Sequence, residues 1–166
     1  MSDTPRGLPL RSSRAERIFP TLTPAQIRRI AAQGHIRAME RGQVLVEQGD
    51  RDVPFFVVVS GEVEIVRPSG AVETLVTVHH PGQFSGEVSM LSGRPAIFRV
   101  RAAKPGELIQ LDRRHMMALV QTDAELSDIL MRAFILRRLS WWQPAWEMLC
   151  SSVQRIPPVR FGSESS

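Results

Sequence analysis

The sequence predicts a mainly β domain with flanking helices: an antiparallel β-barrel or jelly roll with one N-terminal helix and two C-terminal helices. Three observations predict it. Between Gln43 and Leu111 the apolar residues fall in short runs or alternate with polar ones, the spacing of strands. Glycine or proline separates those runs, as in the turns of an antiparallel all-β fold. On either side the apolar spacing changes to three and four residues, the period of an amphipathic helix.

The elements follow in order. Residues 1–16 read as a flexible leader, where Pro5, Gly7, Pro9, Ser12 and Ser13 mix with arginines and no apolar period develops. A first helix starts near Thr23, which can cap, with Pro24 in the first turn. Ile27, Ile30 and Ala31 share its buried face, and Gly34 reads as its stop. Six strands are then expected: Val44–Val46, Phe55–Val59, Val63–Val66, Leu75–Val78, Ile97–Ala102 and Leu108–Leu111. Asp112 can cap a short helix that holds Met116, Met117, Leu119 and Val120. Thr122 and Glu125 stand at capping-box spacing before Leu126, Ile129, Leu130, Ala133 and Phe134, which predicts an amphipathic helix to about Leu139. Residues 140–166 read as an irregular tail with three tryptophans, a Pro157-Pro158 pair and no clear period. Two readings of the tail stay open: local packing through Trp141, Trp142 and Trp146, or a disordered end. The domain itself is expected over 17–139, and the chain shows no internal repeat.

Length and composition agree with one globular domain: 166 residues, 43% hydrophobic and 23% charged. The lone Cys150 cannot form an internal disulfide, and no stretch reaches eighteen uninterrupted apolar residues. The first residues lack the apolar segment of a secretory signal, so a cytoplasmic location is expected, with no membrane partner. The formal charge of +4 is carried by scattered arginines, with Lys104 the sole lysine. That charge suits a small anionic ligand; without a basic run, a nucleic-acid partner is not expected. No nucleophile–histidine–acid set or paired carboxylates call for an enzyme. His79 and His80 are adjacent and would point to opposite faces of a strand, so a metal centre is not expected.

The chemistry concentrates in PGQFSGEVSMLSGRPAIFRVRA, residues 81–102. Gly86 permits a close backbone approach or a positive φ. Glu87 to Leu91 can form one helical turn whose free N–H groups would seat an anion, with the Glu87 carboxylate placed to accept hydrogen bonds from vicinal hydroxyls.

This segment resembles the phosphate-binding cassette of the cyclic-nucleotide-binding domain family, which has a Phe-Gly-Glu-like start, an apolar turn and a Pro-Arg-Ala-Ala-like end before a strand. Upstream, Glu40–Asp50 resembles the family's opening strand and its Gly-Asp turn, and Phe55–Val63 resembles its next strand pair. The resemblance covers about 17–139. The wording FVVVSGEVEIVRPSG, PGQFSGEVSMLSGRPA and QTDAELSDILMRAFILRR is similar to the N-terminal sensor domain fused to bacterial thioredoxin-reductase-like flavoproteins. No G-x-G-x-x-G stretch or C-x-x-C pair follows in this sequence. A truncated relative and a stand-alone sensor both stay open.

The resemblance implies the site. Glu87 matches the ribose-binding glutamate and Gly86 the glycine before it; Val88, Ser89, Arg94, Pro95, Ala96 and Ile97 complete the binding segment. Ala96 stands where the family has its phosphate-binding arginine. Losing that contact would cost about 1.5–3 kcal/mol, or roughly ten- to a hundredfold in affinity. Arg94 is the nearest replacement. Arg99 and Arg101 alternate with Phe98 and Val100 and are expected to face outward. Ser89 and Ser92 could add hydroxyls, and Phe134, Ile135 and Leu136 an apolar lid.

The expected function is a regulatory sensor domain without cofactor. It binds cyclic AMP, cyclic GMP or a similar anionic small molecule and passes the change through its C-terminal helices to a thioredoxin-reductase-like or other effector. The alternative is a degenerate barrel that acts as a protein-interaction or dimerisation module, a homodimer among its forms; Ala96 and the long apolar helix favour it. A DNA-binding regulator of the catabolite-activator type would need a helix-turn-helix, for which 140–166 is too short and irregular.

Overall fold

The computed structural model describes residues 14–153, with side chains over 16–140. In chain order its elements are α1 (Arg14–Ile18), α2 (Pro24–Ala31), β1 (His35–Met39), β2 (Val44–Val46), β3 (Phe55–Val58), β4 (Glu62–Ser69), β5 (Val72–His79), β6 (Phe84–Ser85), α3 (Glu87–Ser92), β7 (Arg99–Lys104), β8 (Gly106–Leu111), α4 (Arg113–Thr122) and α5 (Ala124–Val153). The strands form two four-stranded sheets, ordered β1-β8-β3-β6 and β2-β7-β4-β5. All pairings between them are antiparallel. The predicted jelly roll with helices at both ends is the architecture found.

The sequence of β3 explains how two cores arise. All four of its residues are buried. Alternate side chains point to opposite faces of a strand. Phe55 and Val57 therefore join the core beneath the helices, with Leu22, Ile30, Met116, Leu126 and Leu130. Phe56 and Val58 join the core between the sheets, with Val46, Val63, Phe98 and Val100. A strand covered on both faces reads as a continuous apolar run, which is how FFVV appears in the sequence.

Several elements differ from expectation for identifiable reasons. A short helix, α1, occupies Arg14–Ile18, at the edge of the expected leader; residues 1–13 lie outside the described residues. Gly34 does not end α2, which stops at Ala31 with Ala32 as its cap. Strand β1 was missed because it is an edge strand that pairs only with β8 and leaves Ile36 exposed, so no apolar run marks it. Strand β6 has only two residues. β4 runs on through Pro68 and Ser69, beyond the stretch that pairs with β7. There it has a neighbour on one side only, where a missing N–H is tolerated.

Asp112 caps α4, accepting from the His115 N–H at 2.8 Å. The capping box expected from Thr122 and Glu125 does not form. Asp123 instead accepts from the Leu126 N–H at 3.0 Å and caps α5, while the Thr122 hydroxyl donates back to the Ala118 carbonyl. Glu125 is drawn away to α2, where Gln26 donates to it at 2.6 Å and Arg29 at 2.6 Å. Helix α5 does not stop near Leu139; its backbone continues to Val153, through the first part of the expected irregular tail. Residues 154–166 lie outside the described residues.

Candidate functional site

Inside the roll lies a cavity of about 240 Å³. Its walls are apolar: Val46, Val53, Phe56, Ile65, Ala96, Phe98 and Val100 are buried and line it. Every sequence-predicted site residue lines the same space: Gly86, Glu87, Val88, Ser89, Arg94, Pro95, Ala96 and Ile97. Arg94, Ile97 and Arg138 are exposed, so they form its rim.

The cassette adopts its shape because of Gly86. This residue has φ +98°, and a Cβ there would lie 2.1 Å from the Pro54 carbonyl oxygen. Only glycine allows β6 to turn into α3 this close to β3. The turn drives the next side chain, Glu87, inward, where it is fully buried.

The partner of Glu87 comes from fifty residues further along the chain. Arg137 on α5 is 2% exposed, and its Nη1 donates to Glu87 Oε1 at 2.5 Å. The same guanidinium donates to the Phe84 carbonyl at 3.1 Å and, through Nε, to the Ile18 carbonyl at 3.0 Å. The Phe84 and Phe19 rings flank it, with centroids 4.8 and 5.0 Å from the guanidinium carbon. One arginine thus ties α1, β6, α3 and α5 together.

The ion pair is one-armed. Guanidinium and carboxylate can pair through two parallel bonds, but here Glu87 Oε2 and Arg137 Nη2 are both buried without a partner. A third orphan lies beside them. His79, at the end of β5, is 1% exposed, packs against Phe19, and leaves Nδ1 buried and unbonded. Burial, then the positive charge of Arg137, pushes the His79 pKa down to about 3, so the ring is neutral at ordinary pH. Buried polar groups without partners cost about 1–3 kcal/mol each. All three residues line the cavity, but the three atoms themselves have less than 1 Å² of accessible surface, so a molecule in the cavity reaches them only where the side chains shift.

The opposite wall offers no such groups. Ala96 is 7% exposed and belongs to the inter-sheet core. Its N–H donates to the Asp50 carbonyl at 2.8 Å and its carbonyl accepts from the Gly49 N–H at 2.8 Å. Even its backbone donor is spent. Arg94 forms no ion pair among the described residues. Arg99 and Arg101 face outward as expected, into a network with Glu47, Glu64 and Glu73. Ser89 lines the cavity, whereas the Ser92 hydroxyl donates to the Val88 carbonyl at 2.6 Å.

The lid expectation needs correction. Phe134, Ile135 and Leu136 do not line the cavity; Arg137 and Arg138 do. Arg137 was nevertheless marked in the sequence. Leu126, Leu130, Ala133 and Arg137 recur at four, three and four residues, which places a charged side chain on the buried stripe of α5. His79 carries no comparable local signal, because its burial comes from pairing opposite Val63 in β4.

With this geometry in view, the comparisons fit the fold. The family model of the cyclic nucleotide-binding domain matches residues 36–123. Potassium channel AKT1 of Oryza sativa subsp. indica is 29% identical over 91 residues, 55% of this chain and 10% of the channel. A cyclic nucleotide-gated potassium channel of Mesorhizobium japonicum is 29% identical over 121 residues, 73% of this chain and 32% of the channel. The chain therefore spans about a third or less of the length of these relatives. Among solved structures, the catabolite activator protein of Thermus thermophilus superposes with a TM-score of 0.66 at 25% identity, over 81% of this chain and 63% of that one.

Proposed function

The chain belongs to the cyclic nucleotide-binding domain family, and from that premise we propose that it is a regulatory sensor domain rather than an enzyme, with cyclic AMP or cyclic GMP as its ligand and no cofactor. The observation that carries this reading is the buried Glu87–Arg137 pair at the cavity wall, which joins the cassette to α5 and leaves one acceptor and one donor unpaired. A ribose 2′-hydroxyl would donate to Glu87 Oε2, and Arg137 Nη2 would donate to a ligand oxygen, once a shift of the pair exposes these two buried atoms. Gly86, Val88, Ser89, Pro95, Ala96 and Ile97 shape the walls around the ligand, and Arg94 at the rim reaches its anionic group.

Because Arg137 is carried by α5, any ligand that engages the pair acts directly on the position of that helix. Occupancy is read as a population shift of α5 against the roll. Residues 17–139 form the binding domain in this reading, with 1–16 and 140–166 as flanks. The effector, a thioredoxin-reductase-like protein or another, takes its signal from α5. A cytoplasmic setting accords with the single cysteine, Cys150, which has no internal partner for a disulfide. Among the described residues no helix is long and apolar enough to cross a membrane.

A second reading, dimerisation, rests on a separate observation. Met131, Ile135 and Leu139 are exposed at four-residue intervals on α5. Such a stripe on one helix face is suited to a second copy of the chain. Light scattering should then give a mass that rises with concentration and falls back to a monomer in Ile135→Glu; a wild-type chain that stays monomeric throughout would remove this reading.

The sensor reading predicts a higher melting temperature in the presence of ligand, since only the folded state binds. Ligand at a hundred times its Kd stabilises by about 2.7 kcal/mol, a rise of roughly 5–15 °C. No shift with millimolar cyclic AMP or cyclic GMP would overturn it.

A further inference from the structure

The surface that the cavity presents to a ligand is mostly carbon. Val46, Phe56, Ile65, Ala96, Phe98 and Val100 are buried and form its walls. Ala96 has both backbone groups bonded, to Gly49 and Asp50. At the inner end the charges cancel, because Arg137 Nη1 donates to Glu87 Oε1 at 2.5 Å. The atoms that this pair leaves open have less than 1 Å² of accessible surface. Among the described residues, Glu87 is the only carboxylate that lines the cavity. An anionic group set against these walls would lose its water without gaining a partner.

The free positive charge sits at the mouth. Arg94, on the loop after α3, and Arg138, on α5, both line the opening and are exposed. Neither forms an ion pair among the described residues. Arg138 instead lies over the Phe134 ring, 5.6 Å from its centroid. An apolar interior with unpaired cations at its opening matches a molecule with an apolar body and one anionic end. The volume, about 240 Å³, lies just below the roughly 300–1,000 Å³ of usual small-molecule sites, so that body is compact. Phe56 and Phe98 place aromatic rings in the wall. A rigid ring system packs against them and loses little conformational freedom on binding. A carboxylate, singly charged and forked, suits an arginine at the mouth.

We infer that the cavity is a binding site for a compact aromatic carboxylate, which enters ring first, seats its ring system against Phe56, Phe98 and the aliphatic wall, and leaves its carboxylate at the mouth with Arg94 and Arg138. The inference goes beyond the sensor reading. It needs the cavity and its mouth but none of the cyclic-nucleotide contacts, so the two can fail separately. Because Arg138 is carried by α5, a carboxylate held there also engages that helix.

Calorimetric titration of the whole chain with naphthalene-2-carboxylate tests it, with naphthalene-2-carboxamide, acetate and cyclic AMP for comparison. The aromatic acid should bind saturably, while acetate, which lacks the ring, should show no binding at millimolar concentration. The amide should bind roughly three- to tenfold more weakly than the acid, as expected for losing contacts to exposed charges. Arg94→Ala/Arg138→Ala should weaken the acid by the same factor and leave the amide unchanged. Added salt should narrow the difference between acid and amide. Ser89→Phe puts a ring into the cavity; with its folding confirmed by circular dichroism, it should weaken acid and amide alike by roughly tenfold or more. If cyclic AMP binds and the aromatic acid does not, the inference falls and the cyclic-nucleotide reading stands. If the acid binds as described and cyclic AMP does not, the inference stands and the cyclic-nucleotide reading falls. If neither binds, both fall. Equal affinity of the acid for the wild type and the double-arginine variant, or for the wild type and Ser89→Phe, would overturn the inference.

Discussion

Arg137→Met will lower the free energy of unfolding by about 3–5 kcal/mol, the loss typical when one partner of a buried ion pair is removed. The side chain is 2% exposed and makes three hydrogen bonds, to Glu87, Phe84 and Ile18. Methionine can refill the space between the Phe19 and Phe84 rings, so cavity formation is a minor part of the loss. The larger part is the Glu87 carboxylate, left buried with no bonded partner. The double variant Glu87→Leu/Arg137→Met should therefore be more stable than Arg137→Met alone, since an apolar pair of similar volume is often neutral or better. Chemical denaturation of the four proteins in the cycle measures both expectations. A loss below about 1 kcal/mol in Arg137→Met would show that water reaches the pair, as it does for exposed ion pairs.

Acidification will destabilise the domain before its carboxylates titrate, through His79. Its pKa is about 3 in the fold, against an ordinary value of 6.5. The unfolded chain therefore binds a proton below pH 6.5 that the folded chain does not. Stability is complete above that pH and falls as the pH drops towards 3. One pH unit is worth about 1.4 kcal/mol, so the full effect is on the order of 4–5 kcal/mol. The carboxylates of Glu47, Glu62, Asp112, Asp123 and Glu125 are held below their usual range by hydrogen bonds from Arg99, Lys104, His115, Arg29 and Gln26 respectively. They add to the loss only at lower pH. Between pH 6.5 and 4.5 the difference between wild type and His79→Leu isolates the histidine. The wild type should lose about 2–3 kcal/mol more across that window. Parallel stability curves would show that His79 is hydrated in the folded state.

The fold was legible where one local pattern decided the structure. FFVV at β3, the Thr23 cap of α2 and the Asp112 cap of α4 each act over a few residues and were read correctly. Competition between neighbouring caps decided α5, and Asp123 prevailed over Thr122 because Glu125 is committed to Gln26 and Arg29. The edge strand β1 depends on β8, more than sixty residues away, and left little trace of its own.

The site divides in the same way. Gly86–Ser89 and Arg94–Ile97 are contiguous, and the pattern of the cassette found them. The Glu87–Arg137 pair joins positions fifty residues apart, so no local pattern shows it. A single arginine on the apolar stripe of α5 was its trace. The structure also sharpens the meaning of Ala96. In the sequence it was the absence of an arginine; in the fold it is part of a packed apolar wall whose backbone groups are already bonded. The backbone at Ala96 has no free donor for an anion, while Gly86 and Glu87 keep the first half of the cassette pattern.

The most direct test is calorimetry with cyclic AMP and cyclic GMP on the wild type and on Glu87→Gln, with circular dichroism to confirm that both are folded at the temperature used. Glutamine keeps the size of the side chain and one acceptor oxygen but lacks the charge. The account predicts saturable binding of one ligand per chain to the wild type, weakened at least tenfold in the variant. Absence of binding at millimolar ligand, or equal affinity in both proteins, would contradict it.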